Sequence, residues 1–213
     1  MDYNTALGEN LMEATSKKFK LFLIIFIGFV YIGLPLTILI GIISFDYKFY
    51  ALTIGAFFVY IILRIVGFSN SELGITKKRT KKSIIHILPF TVILAIVGLA
   101  IWISGYSRIT PNEQWSFFVF YVFISCPIQE FLYRGSLEAM LDKLRLSYIA
   151  RMLISSLLYS FVHIIYRDII TLLLTFIIGL IWFFCYQKTK NLLGVSLSHA
   201  VLGVVTIVAG IID

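Results

Sequence analysis

Residues 115–137, WSFFVFYVFISCPIQEFLYRGSL, form an apolar run that is long enough to cross a bilayer as a helix, since a spanning helix needs about 20 mostly apolar residues. The second half of this run carries Gln129, Glu130 and Arg134. Ionisable side chains within a membrane segment are rare and costly, and each one is a candidate functional residue. The run therefore predicts both a spanning helix and a site within it.

Six further apolar runs of similar length lie on either side of this one. The seven runs predict spanning helices at roughly 21–44, 49–68, 84–104, 115–137, 149–166, 168–186 and 191–211. Only 14% of the 213 residues are charged, whereas a soluble domain carries about 25%. We therefore predict an all-α polytopic protein that is surrounded by the lipid bilayer and crosses the cell membrane several times.

The chain is predicted to hold one folded domain. A polar N-terminal segment covers residues 1–20, and the transmembrane domain covers residues 21–213. Cys126 and Cys185 both lie in apolar runs. They are expected to behave as small hydrophobic residues rather than as a disulfide or a pair of metal ligands.

The basic residues are distributed unequally between alternate loops. Thirteen lie on one side of the predicted helices, and three, Lys48, Arg108 and Arg167, lie on the other. Cytoplasmic loops carry the excess of Lys and Arg, so the N-terminus is predicted to be cytoplasmic. The block KKRTKK at 77–82 either determines this orientation or binds anionic lipid. Because the net charge of +7 lies in such short loops, nucleic acid is not an expected partner.

A few ionisable residues lie inside the predicted spans. Glu130 and Arg134 are four residues apart, so they share one helix face and can form a structural ion pair. His163 and His199 lie in two other spans, each among apolar neighbours. A lone histidine of this kind is usually a core residue, but two of them with Glu130 form a plausible three-helix cluster.

A carboxylate with two imidazoles permits three kinds of chemistry. The groups could hydrolyse a peptide, with one taking a proton from water and others stabilising the oxyanion. Glu130, His163 and His199 could instead bind zinc, although the H-E-x-x-H spacing that places two ligands on one helical face is absent. They could also relay protons or ions.

Four segments of the chain follow a recognisable order: LGITKKRTKK (73–82), SCPIQEFLYRGSLEAM (125–140), SSLLYSFVHIIY (155–166) and NLLGVSLSHAVLG (191–203). Together they resemble the CAAX prenyl protease and bacteriocin-processing family (CPBP, or Abi) over about residues 73–205. The resemblance implies a CAAX-protease-like helix bundle, intramembrane endopeptidase activity and no cofactor, with zinc as the alternative.

The family pattern has two adjacent glutamates with an arginine four residues after the second. An aromatic residue then stands four before a histidine, and a second histidine stands four before an Asn. By resemblance, the first glutamate and first histidine activate water, while the second histidine and the Asn bind the oxyanion. The residues of this chain that match the pattern are Glu130, Arg134, Tyr159, His163 and His199.

Two positions depart from that pattern, and both affect the chemistry. Gln129 occupies the position of the first glutamate, and Gly203 that of the Asn. An amide is not basic near neutral pH, so Gln129 cannot be the general base, although it can hydrogen-bond water or a substrate carbonyl. Loss of a base costs about 10²–10⁴ in rate, and loss of one oxyanion donor about 10²–10³.

Three functions are consistent with this pattern. In the first, the chain is an intramembrane endopeptidase in which Glu130 or His163 serves as the base. In the second, it is a catalytically dead relative that binds a hydrophobic peptide or a membrane protein, in bacteriocin immunity or in the regulation of signalling. The third is a transporter or proton relay, which the absence of an inverted repeat disfavours. The departures at Gln129 and Gly203 predict weakened or absent hydrolysis.

Overall fold

The computed structural model describes residues 16–212, and it is helical with no strand over that range. Six helices are long and apolar enough to cross a membrane, and the seventh, which has 17 residues, is shorter. This confirms the all-α, multi-pass prediction. The helices are α1 (Ser16–Leu39), α2 (Phe45–Ile65), α3 (Thr80–Ile103), α4 (Trp115–Lys143), α5 (Tyr148–Tyr166), α6 (Ile169–Gln187) and α7 (Leu192–Val208).

Some predicted boundaries were wrong. Helix α4 continues to Lys143 rather than ending near residue 137, because its polar Glu138 is neutralised by Lys190 instead of facing lipid. Helix α1 ends at Leu39 rather than near residue 44, ahead of Gly41, whose φ of 83° is incompatible with a helix. Of the predicted polar segment 1–20, residues 1–15 lie outside the described residues, and residues 16–20 are the first turn of α1.

The connecting segments gather at two ends of the bundle. At one, which we call the basic end, Lys143 pairs with Glu72, and Asn191 donates hydrogen bonds to the carbonyls of Thr76 and Lys78. The other, the cation-poor end, holds the three cations predicted to share a side. There Arg108 pairs with Asp168, Arg167 donates to the Leu39 carbonyl and Lys48 lies over the Tyr166 ring.

Helix α4 lies inside the bundle and contacts α1, α2, α5, α6 and α7. Two π-helical segments, Tyr121–Ser125 and Phe131–Ser136, interrupt it on either side of Cys126–Glu130. Such segments occur mostly as single-turn insertions, often at functional sites. Here they flank the short α-helical segment that carries Gln129 and Glu130.

The distribution of apolar and polar side chains suits a lipid environment. Large apolar residues are exposed on the outside of the bundle, including Phe29 (75%), Phe123 (73%) and Ile169 (65%). Ionisable residues are enclosed instead: Glu130 and Arg134 both have an exposure of 0%. Within lipid, polar groups must find their partners inside the protein. The helices therefore pack around Glu130 and Arg134, and the region near these two residues is where we look for a site.

Candidate functional site

The carboxylate of Glu130 lies in a buried ion pair with Arg134, one helical turn along α4. Arg134 Nη1 donates to Glu130 Oε1 at 3.3 Å, and Arg134 Nε lies 3.3 Å from Glu130 Oε2. Both side chains are fully buried. A charge in such a site is strongly destabilising without its partner, so the two side chains depend on each other for a favourable buried contact.

Arg134 also ties α4 to α5 and α6. Its Nη2 donates to the Gly179 carbonyl at 3.3 Å, and its guanidinium carbon lies 4.2 Å from the centre of the Tyr159 ring and 5.2 Å from that of Trp182. Aromatic faces attract cations, more strongly when water is excluded. The cation is therefore held by a carboxylate, a carbonyl and two aromatic rings, on three different helices.

His199 of α7 is the second partner of Glu130. Its Nδ1 donates to Glu130 Oε1 at 2.8 Å, since a carboxylate can only accept, and its ring stacks on Trp182 with centroids 4.5 Å apart. The Tyr159 hydroxyl lies 3.4 Å from Nε2. The hydrogen bond to Glu130 orients the imidazole and assigns the proton of its neutral form to Nδ1. Nε2 is then the acceptor for the Tyr159 hydroxyl.

His163 of α5 is held separately. It begins the 3₁₀ segment His163–Tyr166 at the end of that helix, and its Nδ1 donates to the Tyr159 carbonyl at 2.8 Å. In the neutral ring, Nε2 is then the unprotonated nitrogen. His163 thus presents an acceptor that could take a proton from water or from a ligand.

A cavity of about 510 Å³ lies against these residues and has a mostly apolar wall. This size is within the range of ligand pockets, about 300–1,000 Å³. Glu130 and Arg134 do not line it. The residues singled out from the sequence that do line it are Gln129, Tyr159, His163, His199 and Gly203.

Gln129 and Glu130 are adjacent in sequence but face different surroundings. Side chains of successive helical residues point about 100° apart, so the two need not share the same surroundings. Gln129 lines the cavity, and its Nε2 donates to Ser125 Oγ at 2.9 Å. The cavity therefore contains a neutral amide where the family pattern has its first glutamate.

Tyr121 and Trp182 are part of the site but were missed from the sequence. The Tyr121 ring packs edge-on against His199, and its hydroxyl fills the space beside Gly203, where a Cβ would collide with it. Both aromatic residues belong to long apolar runs, in which nothing distinguishes them from lipid-facing neighbours. Gly203 was the one residue that could have indicated a neighbour such as Tyr121, because a glycine often permits a close approach by another group.

Zinc does not fit the site as it stands. Among residues 16–212, no three His, Cys, Asp or Glu side chains converge as a metal would require. Glu130 Oε1 is bound by His199 and Arg134, and His163 Nδ1 is bound by Tyr159. The alternative zinc triad of Glu130, His163 and His199 is therefore not assembled.

These features define a helical membrane protein with a candidate intramembrane site to which four helices, α4, α5, α6 and α7, contribute. The type II CAAX prenyl endopeptidase Rce1-like family model matches residues 111–205, which include every predicted site residue. No curated protein and no solved structure matches the chain. Residues 111–205 are therefore similar to the Rce1-like domain, which agrees with the resemblance of the sequence to the CPBP family.

Proposed function

We propose that this protein binds an apolar peptide, or an apolar segment of a membrane protein, in its cavity and has lost most or all of the family's hydrolytic rate. The observation that carries this proposal is the position of the carboxylate. Glu130 is fully buried between Arg134 and His199 and does not line the cavity, whereas the neutral Gln129 does.

The cavity itself favours binding. Its wall is apolar, and a few polar side chains converge on one end of it: Gln129, Tyr159, His163 and His199. This combination of an apolar wall with few orienting polar groups is typical of binding sites. The function that follows is recognition of a peptide in the cell membrane, as in bacteriocin immunity or the regulation of a signalling protein.

Reconstituted protein in nanodiscs tests the proposal with a library of fluorescent apolar peptides. We expect the wild type to bind members of the library without releasing fragments. Gln129→Glu restores a carboxylate to the cavity and is expected to produce measurable cleavage, while Gln129→Asn, which keeps the amide, is the matched control. Cleavage by the wild type as fast as by Gln129→Glu would overturn the proposal.

A slow hydrolase with His163 as general base is the second candidate. The observation in its favour is that His163 Nδ1 donates to the Tyr159 carbonyl, so the neutral ring keeps Nε2 as an acceptor. In that case His163→Gln removes residual cleavage by the wild type and leaves peptide affinity nearly unchanged. Residual cleavage that survives His163→Gln would exclude this candidate.

A further inference from the structure

The cavity occupies only one half of the bundle along the direction of the helices. Along α4, its lining toward the basic end stops at Leu132 and Tyr133, about one helical turn beyond Gln129. From there it extends to the helix ends and loops at the cation-poor end, where Lys48, Tyr166 and Ile212 line it. The lining includes no residue of the KKRTKK block and none of the last turn of α4 at the basic end.

The half of the bundle toward the basic end is packed instead. Leu23 of α1, Leu63 of α2 and both Leu137 and Met140 of α4 all have an exposure of 0%. They belong to one continuous apolar core. Interiors packed in this way hold few voids larger than a water molecule, and none of these four residues lines the cavity.

The loop between α2 and α3 adds a cover at the basic end. Leu73 of this loop has an exposure of 0%, and the Gly74 carbonyl accepts a hydrogen bond from the Leu192 amide at 3.2 Å. Asn191 at the start of α7 holds the same loop through the carbonyls of Thr76 and Lys78, at 2.7 and 2.9 Å. The loop is thus fastened to the bundle on the side away from the cavity.

An ionic cluster closes the basic end further. Glu138 of α4 is buried and accepts hydrogen bonds from Lys190 and Gln187 at its Oε1, and Arg151 Nε lies 3.7 Å from the same oxygen. Arg151 also pairs with Asp142. A buried charge of this kind needs all its partners, so opening a path here would separate several ion pairs at once.

We propose that the cavity opens to the extracytoplasmic side, and that its ligand is an apolar peptide arriving from there. The direction follows from the closed basic end together with the rule that Lys- and Arg-rich loops remain in the cytoplasm. The choice of an apolar peptide as the ligand rests on the function proposed above.

The lining supports a peptide as the occupant. Toward the cation-poor end the wall consists mostly of apolar side chains, such as Ile38, Ile101 and Ile165, which suit apolar side chains of a ligand, and it also includes Lys48 and Glu113. At the closed end, Gln129 carries both an amide donor and an acceptor. An extended peptide that inserts one end would bury its side chains along the wall and present a backbone amide to Gln129.

Single-cysteine labelling with a membrane-impermeant maleimide tests the direction of opening. Thr206→Cys is the cavity probe, because Thr206 lines the cavity and is only partly buried. Lys78→Cys reports the basic end, and Ile93→Cys, 60% exposed and outside the cavity lining, reports the lipid face. Native Cys126 and Cys185 are buried, so the wild type provides the unlabelled baseline.

We expect Thr206→Cys to be labelled in intact cells, Lys78→Cys only in inverted vesicles, and Ile93→Cys in neither. Labelling of Thr206→Cys only in inverted vesicles, or in neither preparation, would overturn the proposed opening, as would labelling of Lys78→Cys in intact cells. Added apolar peptide should reduce labelling of Thr206→Cys. If labelling keeps its direction but no peptide reduces it, the proposed peptide binding fails while the opening stands.

Discussion

At the residue scale, the site is organised by the pair Glu130 and Arg134 rather than by a residue that faces the ligand. Arg134 contacts a carboxylate, the Gly179 carbonyl and the Tyr159 ring, and it has no exposed surface. Glu130 in turn orients His199. The two charges therefore hold the histidine and the aromatic residues at the closed end of the cavity.

Arg134→Met should destabilise the protein strongly, because it leaves the buried Glu130 without the arginine and with only His199 as its side-chain partner. We expect a loss of about 3–5 kcal/mol in the free energy of unfolding, measured by denaturant titration in detergent. Arg64→Met is the matched control, since Arg64 is exposed and bonds only the nearby Phe68 carbonyl. The double variant Glu130→Gln, Arg134→Met should recover part of the loss. An Arg134→Met protein as stable as the Arg64→Met control would contradict this role.

Gly203 and Tyr121 form a second coupled pair of residues. Restoring the family's Asn at 203 by itself should cost about 1–3 kcal/mol through overpacking, because its Cβ would collide with the Tyr121 hydroxyl. In a Tyr121→Ala background the same change should cost less. A thermal-unfolding double-mutant cycle measures this coupling, and strictly additive effects would show that the two side chains do not compete for space.

At the element scale, close approaches at small residues determine how the helices pack. Gly194 of α7 lies against the Ser83 carbonyl of α3, and Gly179 of α6 lies against Ser156 of α5. Small residues allow helix backbones to approach closely in membranes. Thr91 and Trp182 both donate hydrogen bonds to Ser198 Oγ, which links α3 and α6 to α7. These contacts hold α7, and with it His199, against the rest of the site.

Gly194→Ala should therefore separate α3 from α7, since the added Cβ collides with backbone atoms of Ser83 that no rotamer change can move. We expect a loss of about 1–3 kcal/mol and weaker peptide binding. Gly28→Ala is the control, because a Cβ there meets no atom within 4 Å, and alanine is the better helix former by about 1 kcal/mol. Equal stabilities for the two variants would contradict the proposed packing.

At the scale of the whole molecule, ion pairs fasten loops at both ends of the bundle. Lys143 lowers the pKa of Glu72 to about 2 at the basic end. At the cation-poor end, Arg108 and then Thr171 hold the pKa of Asp168 well below its usual value. Arg108 also donates to the Ile211 carbonyl at 2.7 Å. The segments around the cavity's outer end are therefore linked through one carboxylate and one guanidinium.

Acid should weaken these links. A carboxylate whose pKa is depressed by folding contributes stability above its unfolded pKa, and that contribution is lost as the pH falls. We expect the thermal midpoint to fall as the pH drops below about 4.5 toward 2. Asp168→Asn should reduce this dependence and cost about 0.2–1 kcal/mol at neutral pH. Asp168→Ala, which also removes the cap on α6, should cost about 1 kcal/mol more. An unchanged acid dependence in Asp168→Asn would contradict this role.

Several features of the protein follow from local patterns along the chain. The number and approximate limits of the helices were predictable, because the length of an apolar run reflects the thickness of the bilayer. Glu130 and Arg134 could be paired in advance, since residues four apart meet on a helix. Two positions remote from each other, His163 and His199, were also expected at the same site, through the resemblance of their surroundings to one family.

Other features depend on how distant helices are rotated against one another, and no spacing along the chain encodes that rotation. Whether Gln129 or Glu130 faces the cavity depends on the two π-helical segments of α4 and on where α7 places His199. The position of Tyr121 beside Gly203 is likewise a contact between α4 and α7. The cavity lies toward the cation-poor end because the opposite half is filled by packed leucines, and packing of this kind exists only in the folded bundle.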